Sequence, residues 1–230
     1  MLGRMARDTS PPHATAPDLP GGRLGELFRD GRRVHLRPGS NLLTEGDASN
    51  RVVLVLSGRL KVSSYSDSGR ETVLGFRGRG DVLGELSAID GEPHAATVVA
   101  VEASEIVVLA ADRFVAGLTD HPEVMLDLLR SVILRLRDAD QKRAEFAELP
   151  ADARVAERLV ELAAATTRRE DGRTSVTVSI TQAELAGWVG CSREAANKAL
   201  NRFQERGLIV IGRGHLTILD PEGLRRHVAT

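Results

Sequence analysis

The sequence predicts an α+β chain: an antiparallel β-roll in its N-terminal half, one long helix in the middle, and two short helices followed by a hairpin at the C-terminal end. Three observations predict it. From Val34 to Leu109, short runs rich in Val, Leu and Ile are broken at close intervals by glycine. From about Pro122 the apolar spacing changes to alternating steps of four and three, the period of a helix. Beyond Ile180, two helical runs with capping residues precede two β-rich runs around Gly212-Arg213-Gly214.

Residues 1–22 are rich in Pro, Gly and small polar residues, with too little apolar content to order a backbone, and read as a flexible extension. Residues 23–120 form the β-roll. Its strands are VHLRPGSNLL, RVVLVLSGRLKVSSY, ETVLGFRGRGDVLGEL and ATVVAVEASEIVVLA, with a hairpin turn at Asp67-Ser68-Gly69 and turns at Gly46, Gly58, Gly80 and Gly84. Residues 121–149 form the long helix, with Met125, Leu129, Val132, Leu136, Ala139 and Phe146 as an a/d seam. An amphipathic helix packed on its own domain would show a similar pattern. The length, and the position between a β domain and a second helical region, favour a seam between two copies of the chain. A fresh helical pattern starts at Ala151, after Leu149-Pro150, because proline suits a helix start or a hinge better than an interior; residues 150–230 are the second domain.

Composition narrows the function classes. The 230 residues, 42% hydrophobic and 27% charged, are those of a globular protein. No run of about 18 apolar residues could span a bilayer, and the N-terminus lacks the apolar core of a signal peptide, so the expected location is the cytoplasm, without membrane contact. The single cysteine, Cys191, excludes an internal disulfide, a cysteine-built zinc site and a cysteine-ligated iron–sulfur cluster; no metal site is expected. A net charge of −1 exerts no global pull on nucleic acid. Between Gly190 and Arg226, however, seven Arg and Lys residues face four carboxylates, a local excess of +3.

The C-terminal segment carries the most specific information. Thr181 with Glu184 three residues later is a capping-box pattern, Gly190 suits the left-handed end of that helix, and Ser192 caps the next. Ala186, Val189, Ala196 and Leu200 let two short helices cross closely, with Leu185 and Trp188 facing the domain core. This is a helix-turn-helix. Its second helix, Arg193 to Arg206, presents Arg193, Glu194, Asn197 and Lys198 at the end that meets base edges in a major groove. Arg donates two bonds to guanine, Glu accepts from cytosine N4, and Lys reaches guanine or phosphate. Thr181, Gln182 and Ser192 complete the candidates on the helices. The hairpin GLIVIGRGHLTIL is a wing that places Arg213 and His215 at the DNA backbone. A helical pair with a merely solvated charged face is the alternative.

The run from Ile180 to Leu219 resembles the DNA-binding domain of the CRP/FNR family, on Gly190-Cys191-Ser192-Arg193-Glu194, and the likeness extends back to about Leu24. It implies a winged helix-turn-helix behind a cupin-like jelly roll of the cyclic-nucleotide-binding type and a dimerisation helix. It also implies that Arg193 and Glu194 read a G·C pair. Lys198 stands where cyclic-AMP-responsive members have Arg, so the implied half-site resembles TGTGA with relaxed demand at one base. Cys191 needs no redox role, since a small side chain in the turn accounts for it.

The family's ligand cassette corresponds here to Gly84–Ala100. Gly84, Glu85 and Leu86 keep its start, and Glu85 matches the residue that accepts from the ribose hydroxyl. The cassette then departs: His94 and Ala95 stand for the Arg and Ser or Thr that hold the phosphate. A bidentate, permanently charged fork becomes a group largely neutral at pH 7, a loss of roughly thirtyfold or more in affinity. In the long helix Ala139 and Asp140 replace the hydroxyl pair that binds adenine. The expectation is a roll that kept its architecture and lost or changed its ligand. No cofactor is certain, and cyclic AMP is disfavoured. His94 is expected to be a solvated loop residue or part of a new ligand site; a haem role lacks a second axial ligand.

The chain therefore reads as a homodimeric, sequence-specific regulator binding palindromic double-stranded DNA, with RNA polymerase and an unidentified small-molecule effector as further partners. Alternatives are a conventional cyclic-AMP-activated regulator and a cyclic-nucleotide module that controls another protein. The second has no need of a recognition helix. No catalytic residue is expected: Ser87, Asp90 and His94 are close in sequence, but no nucleophile elbow, phosphate loop or HExxH helix accompanies them. Thr166–Arg173 lies where activating members present a loop to the polymerase.

Overall fold

The computed structural model describes residues 19–48, 50–67, 69, 71–167 and 175–228. The N-terminal domain begins with α1 (Arg23–Glu26), followed by β1 (Arg32–Leu36), β2 (Asn41–Leu43), β3 (Arg51–Ser57), β4 (Leu60–Tyr65), β5 (Glu71–Arg77) and β6 (Val82–Leu83). Then come α2 (Glu85–Asp90), β7 (Thr97–Ala100) and β8 (Ser104–Ala110). Two four-stranded antiparallel sheets, ordered β1-β8-β3-β6 and β2-β7-β4-β5, face one another. The run VVLVL in β3 is buried along its whole length because both faces are covered. Val53 and Val55 join Leu60, Val98 and Ile106 between the sheets, while Val52, Leu54 and Leu56 pack under Phe28, Phe114 and Leu118. Gly69 has φ +74° and donates its N–H to Ser66 O at the expected hairpin turn.

Helices α3 (Ala111–Asp120) and α4 (Pro122–Glu148) follow, with proline in the first turn of α4 where its missing N–H costs nothing. Val124 and Leu128 root α4 in the roll. Beyond them Met125, Leu126, Leu129, Ile133 and Leu136 stand exposed, Leu129 at 51%. Two details differ from the expected seam. Val132 is half-buried, and Leu126 and Ile133 take its place on the exposed stripe. Phe146 leaves the seam, because the end of α4 runs beside the second domain. A Cβ on Gly190 would come within 3.0 Å of its ring, and the Arg154 guanidinium lies 4.6 Å from its centroid.

The second domain consists of α5 (Ala151–Thr167), β9 (Val176–Val178), α6 (Gln182–Val189), α7 (Arg193–Glu205), β10 (Ile209–Gly212), β11 (His215–Ile218) and α8 (Pro221–Val228). Val155, Leu159, Leu185, Leu200, Phe203, Ile218 and Leu224 fill its core, and the sheet runs β10-β11-β9. Helices α2, α3 and α8 and strand β9 have no counterpart in the sequence reading: their apolar residues are too few, or too mixed with polar ones, to declare a period. Residues 1–18 of the expected extension, and 168–173 of the expected polymerase-facing loop, lie outside the described residues. Among the described residues no helix is long and apolar enough to cross a membrane, and no cluster of His, Cys, Asp and Glu is placed to hold a metal.

Candidate nucleic-acid interface and effector cassette

Local signals build the helix-turn-helix. Thr181 Oγ1 accepts from Glu184 N–H at 3.1 Å while the Glu184 carboxylate accepts from Thr181 N–H at 2.9 Å, a complete capping box. Gly190 turns the chain at φ +70°, a conformation that a Cβ disfavours, and Ser192 Oγ accepts from Ala195 N–H at 3.1 Å to start α7. Ala186, Val189, Ala196 and Leu200 are buried at the crossing. Cys191 is half-buried in the turn; burial pushes its thiol up, away from a reactive thiolate, against a smaller opposing pull from Arg154.

Arg193, Glu194 and Lys198 are exposed on the first turns of α7, and Asn197 is half-buried beside them. Thr181, Gln182, Arg193 and Asn197 share one groove of about 410 Å³ with Arg213 and His215 of the wing. Asn197 Oδ1 has no hydrogen-bond partner among the described residues. The charge in this domain is divided. Arg202 pairs with Asp152 at 2.5 Å, Arg225 with Glu222, and Arg226 with Asp220 at 3.4 Å. Among the described residues Arg193 and Lys198 at the α7 tip and Arg213 of the wing form no ion pair, and neither does Arg206 at the far end of α7, which meets His227 Nδ1 at 3.1 Å.

The cassette is preserved in shape and altered in chemistry. Gly84 has φ +81°, and a Cβ there would sit 2.7 Å from Arg51 O, so only glycine fits. Glu85, 1% exposed, accepts from Arg135 Nη1 at 2.6 Å, and Arg135 Nη2 also donates to Val82 O at 3.1 Å. Arg135 is the functional residue that the sequence reading missed; the available signal was a guanidinium three residues beyond Val132 on a helix rooted in the roll. Leu86 and Ala95 are exposed.

His94 is not a solvated loop residue. It is 6% exposed, its backbone N–H donates to Asp47 O and its carbonyl accepts from Gly46 N–H, both at 2.9 Å. Burial, then the nearby Arg51 charge, hold its pKa below the ordinary histidine value, against a smaller pull from Asp47. The imidazole is therefore neutral at pH 7 and a poor phosphate cation. Ala139 and Asp140 are exposed on α4, with Asp140 3.7 Å from Arg143.

The two domains touch where α6 lies on β5. Phe76 meets Trp188 edge-on at 5.0 Å, and Lys61 bridges Glu71 at 2.8 Å and Glu184 at 3.0 Å. Gly187 lies at this contact, where even a Cβ would make only an ordinary van der Waals approach of 3.4 Å to Glu71 O. Burial opposes the Lys61 charge, but bonds to the two carboxylates outweigh it and raise its pKa. Burial likewise opposes the Glu184 and Glu71 charges. Hydrogen bonds from Thr181 and Lys61 to Glu184, and from Lys61 and Ser63 to Glu71, overcome it and lower both.

Comparison with known proteins fits this geometry. A family model described as a cyclic nucleotide-binding domain matches residues 33–121, and one described as a Crp-like helix-turn-helix domain matches residues 153–227. The chain is 34% identical over 203 residues to the CRP-like cAMP-activated global transcriptional regulator of Mycobacterium tuberculosis, covering 88% of this chain and 91% of that protein. It is 30% identical over 198 residues to the transcriptional activator protein Anr of Pseudomonas protegens, covering 86% and 80%. A crystal structure of a CRP/FNR-family transcriptional regulator from Thermus thermophilus superposes with a TM-score of 0.73 at 23% identity, covering 86% of this chain and 99% of that one.

Proposed function

Because this chain belongs to the CRP/FNR family of transcription regulators, we propose that it binds palindromic duplex DNA as a homodimer, with cyclic AMP playing a weak, altered or absent part. The coarse function is that of its two matched domains: DNA-binding transcription regulation, in a family of regulators and not of enzymes. One observation carries the finer reading. The exposed Arg193–Glu194 pair and Lys198 lead α7, with the wing's Arg213 across the same groove. A helix tip so equipped reads base edges while the wing holds the backbone. The exposed stripe Leu126, Leu129, Ile133 and Leu136 on α4 supplies a twofold seam, and a dimer would set two such tips about one DNA turn, roughly 34 Å, apart.

The reading on cyclic AMP rests on the buried, neutral His94, the methyl of Ala95 and the absence of hydroxyls at Ala139 and Asp140. A conventional cyclic-AMP-activated regulator is the second reading. It is favoured by the Glu85–Arg135 pair at the head of the cassette and by relatives named as cAMP-activated. RNA polymerase is the partner proposed for activation, with a small-molecule effector shifting the equilibrium between dimer states. Selection of bound duplexes from a random pool tests the main claim: a palindromic, salt-sensitive consensus is expected, and no sequence preference would end it. Calorimetry with cyclic AMP decides between the two readings, since micromolar or tighter binding supports the conventional one.

A further inference from the structure

The cleft between the domains forms an open-sided cavity of about 510 Å³, within the range of metabolite sites and separate from the groove on α7. The roll contributes Arg59, Arg77 and Arg79 to its wall, and the second domain contributes Trp188. Strand pairing gathers the cations: Leu60 of β4 lies opposite Arg77 of β5, so Arg59 and Arg77 end up as near neighbours, and Arg79 follows in the next turn. Three carboxylates also line the cavity, and each has a partner already. Asp81 accepts from Gly78 N–H at 2.7 Å, Glu161 pairs with Arg158 at 2.5 Å and lies 3.6 Å from Lys142, and Glu102 is engaged as well.

Arg77 Nε and Trp188 Nε1, both on this wall, are buried without a hydrogen-bond partner among the described residues. Trp188 is only 8% exposed. An arginine cannot shed its proton, so a buried guanidinium with an unmet donor is stabilised most by an anion that brings acceptors. Burial, then the charge of Arg135, hold the Arg77 pKa below its ordinary value, against smaller opposing pulls from Asp81, Glu85 and Asp138. The aromatic faces are already occupied. Arg59 lies 5.3 Å over the Phe76 ring, and Lys142 and Arg158 lie 5.4 and 5.7 Å over Trp188. A ligand would therefore be recognised through oxygen acceptors and not by stacking of a base.

We propose that this interdomain cavity binds a compact phosphorylated metabolite, its phosphoryl oxygens accepting from Arg77, Arg79 and the Trp188 indole N–H. The proposal rests on the regulator reading and deepens it, since it names a chemical class and a place for the effector outside the cassette. With walls from both domains, an occupant favours the docked arrangement over any that opens the cleft.

The chain's only tryptophan is Trp188, so its fluorescence reports on the cavity directly. The full-length protein is titrated with pyrophosphate and, at equal ionic strength, with sodium chloride. A saturable change with pyrophosphate alone is expected, with apparent affinity weakened at least about tenfold in Arg77→Gln. Arg79→Gln, at an exposed position whose Nη1 donates to Leu56 O at 2.9 Å, should weaken it several-fold and decides the matter if Arg77→Gln does not fold. No response, a response matched by chloride, or one undiminished in the folded variants overturns the proposal. Duplex binding by the same wild-type sample is measured in parallel. Its loss alongside a normal pyrophosphate response removes the regulator reading, whereas DNA binding without that response removes the cavity site alone.

Discussion

At position 94 the roll holds an imidazole in a place whose burial disfavours its charge. With a folded pKa below the ordinary value, the folded state binds fewer protons than the unfolded chain, so stability rises with pH in that window. The contribution is complete above about pH 6.5 and is lost as pH falls through the depressed folded value. Urea unfolding of the wild type should show this loss between neutral and mildly acidic pH, and His94→Gln should flatten it; an unchanged slope in the variant would exclude His94 as its source. At the α7 tip, Arg193→Ala should cost about 1–3 kcal/mol of discrimination at one base pair of each half-site. Competition binding with single-base operator variants reads that difference, and a uniform loss across all sequences would make Arg193 a backbone contact.

Elements with local start and stop signals were legible in sequence. Helices α6 and α7 were recognised because a capping box, a left-handed glycine and a serine cap mark their ends with local signals. Ser192→Ala should accordingly cost about 1 kcal/mol, read from the urea midpoint. Helices α2, α3 and α8 were not legible, since each is short and is held by contacts to the rest of its domain, such as Phe114 and Leu118 of α3 under β3. The long helix was legible as a helix, but its exposed stripe was shifted, because Val124 and Leu128 rotate α4 to root it in the roll. Ile133→Glu should place like charges together at the proposed seam and convert dimer to monomer in sedimentation velocity; a dimer of undiminished affinity would move the interface elsewhere.

Across the whole molecule, the domains are joined by a lysine between two carboxylates, by an aromatic pair, by Arg59 donating to Ser179 O and by Val73 packed into the second domain's core. Glu71 and Glu184 are lowered, so their contribution is complete above about pH 4.3 and is lost as pH falls through their folded values. Lys61 is raised, so its contribution is complete below about pH 10.4 and is lost only as pH rises through its folded value. The bridge thus spans the neutral range. Lys61→Met should destabilise the chain by about 1–2 kcal/mol at pH 7, between exposed and buried pairs, and the difference should shrink as pH falls below about 4.3 and the carboxylates protonate. Equal stability of variant and wild type at pH 7 would show that the lysine bridge does not hold the domains together. None of this docking was visible in the chain's order: Lys61 and Glu184 lie 123 positions apart, and Glu85 and Arg135 lie 50 apart. Periodicity, caps and turn glycines act over a few residues, and they sufficed to specify the roll's strands, the long helix and the DNA-reading tip. The burial of His94, the grip of Arg135 on Glu85 and the arginine-lined cavity depend on which surfaces meet after folding, which no short-range pattern encodes.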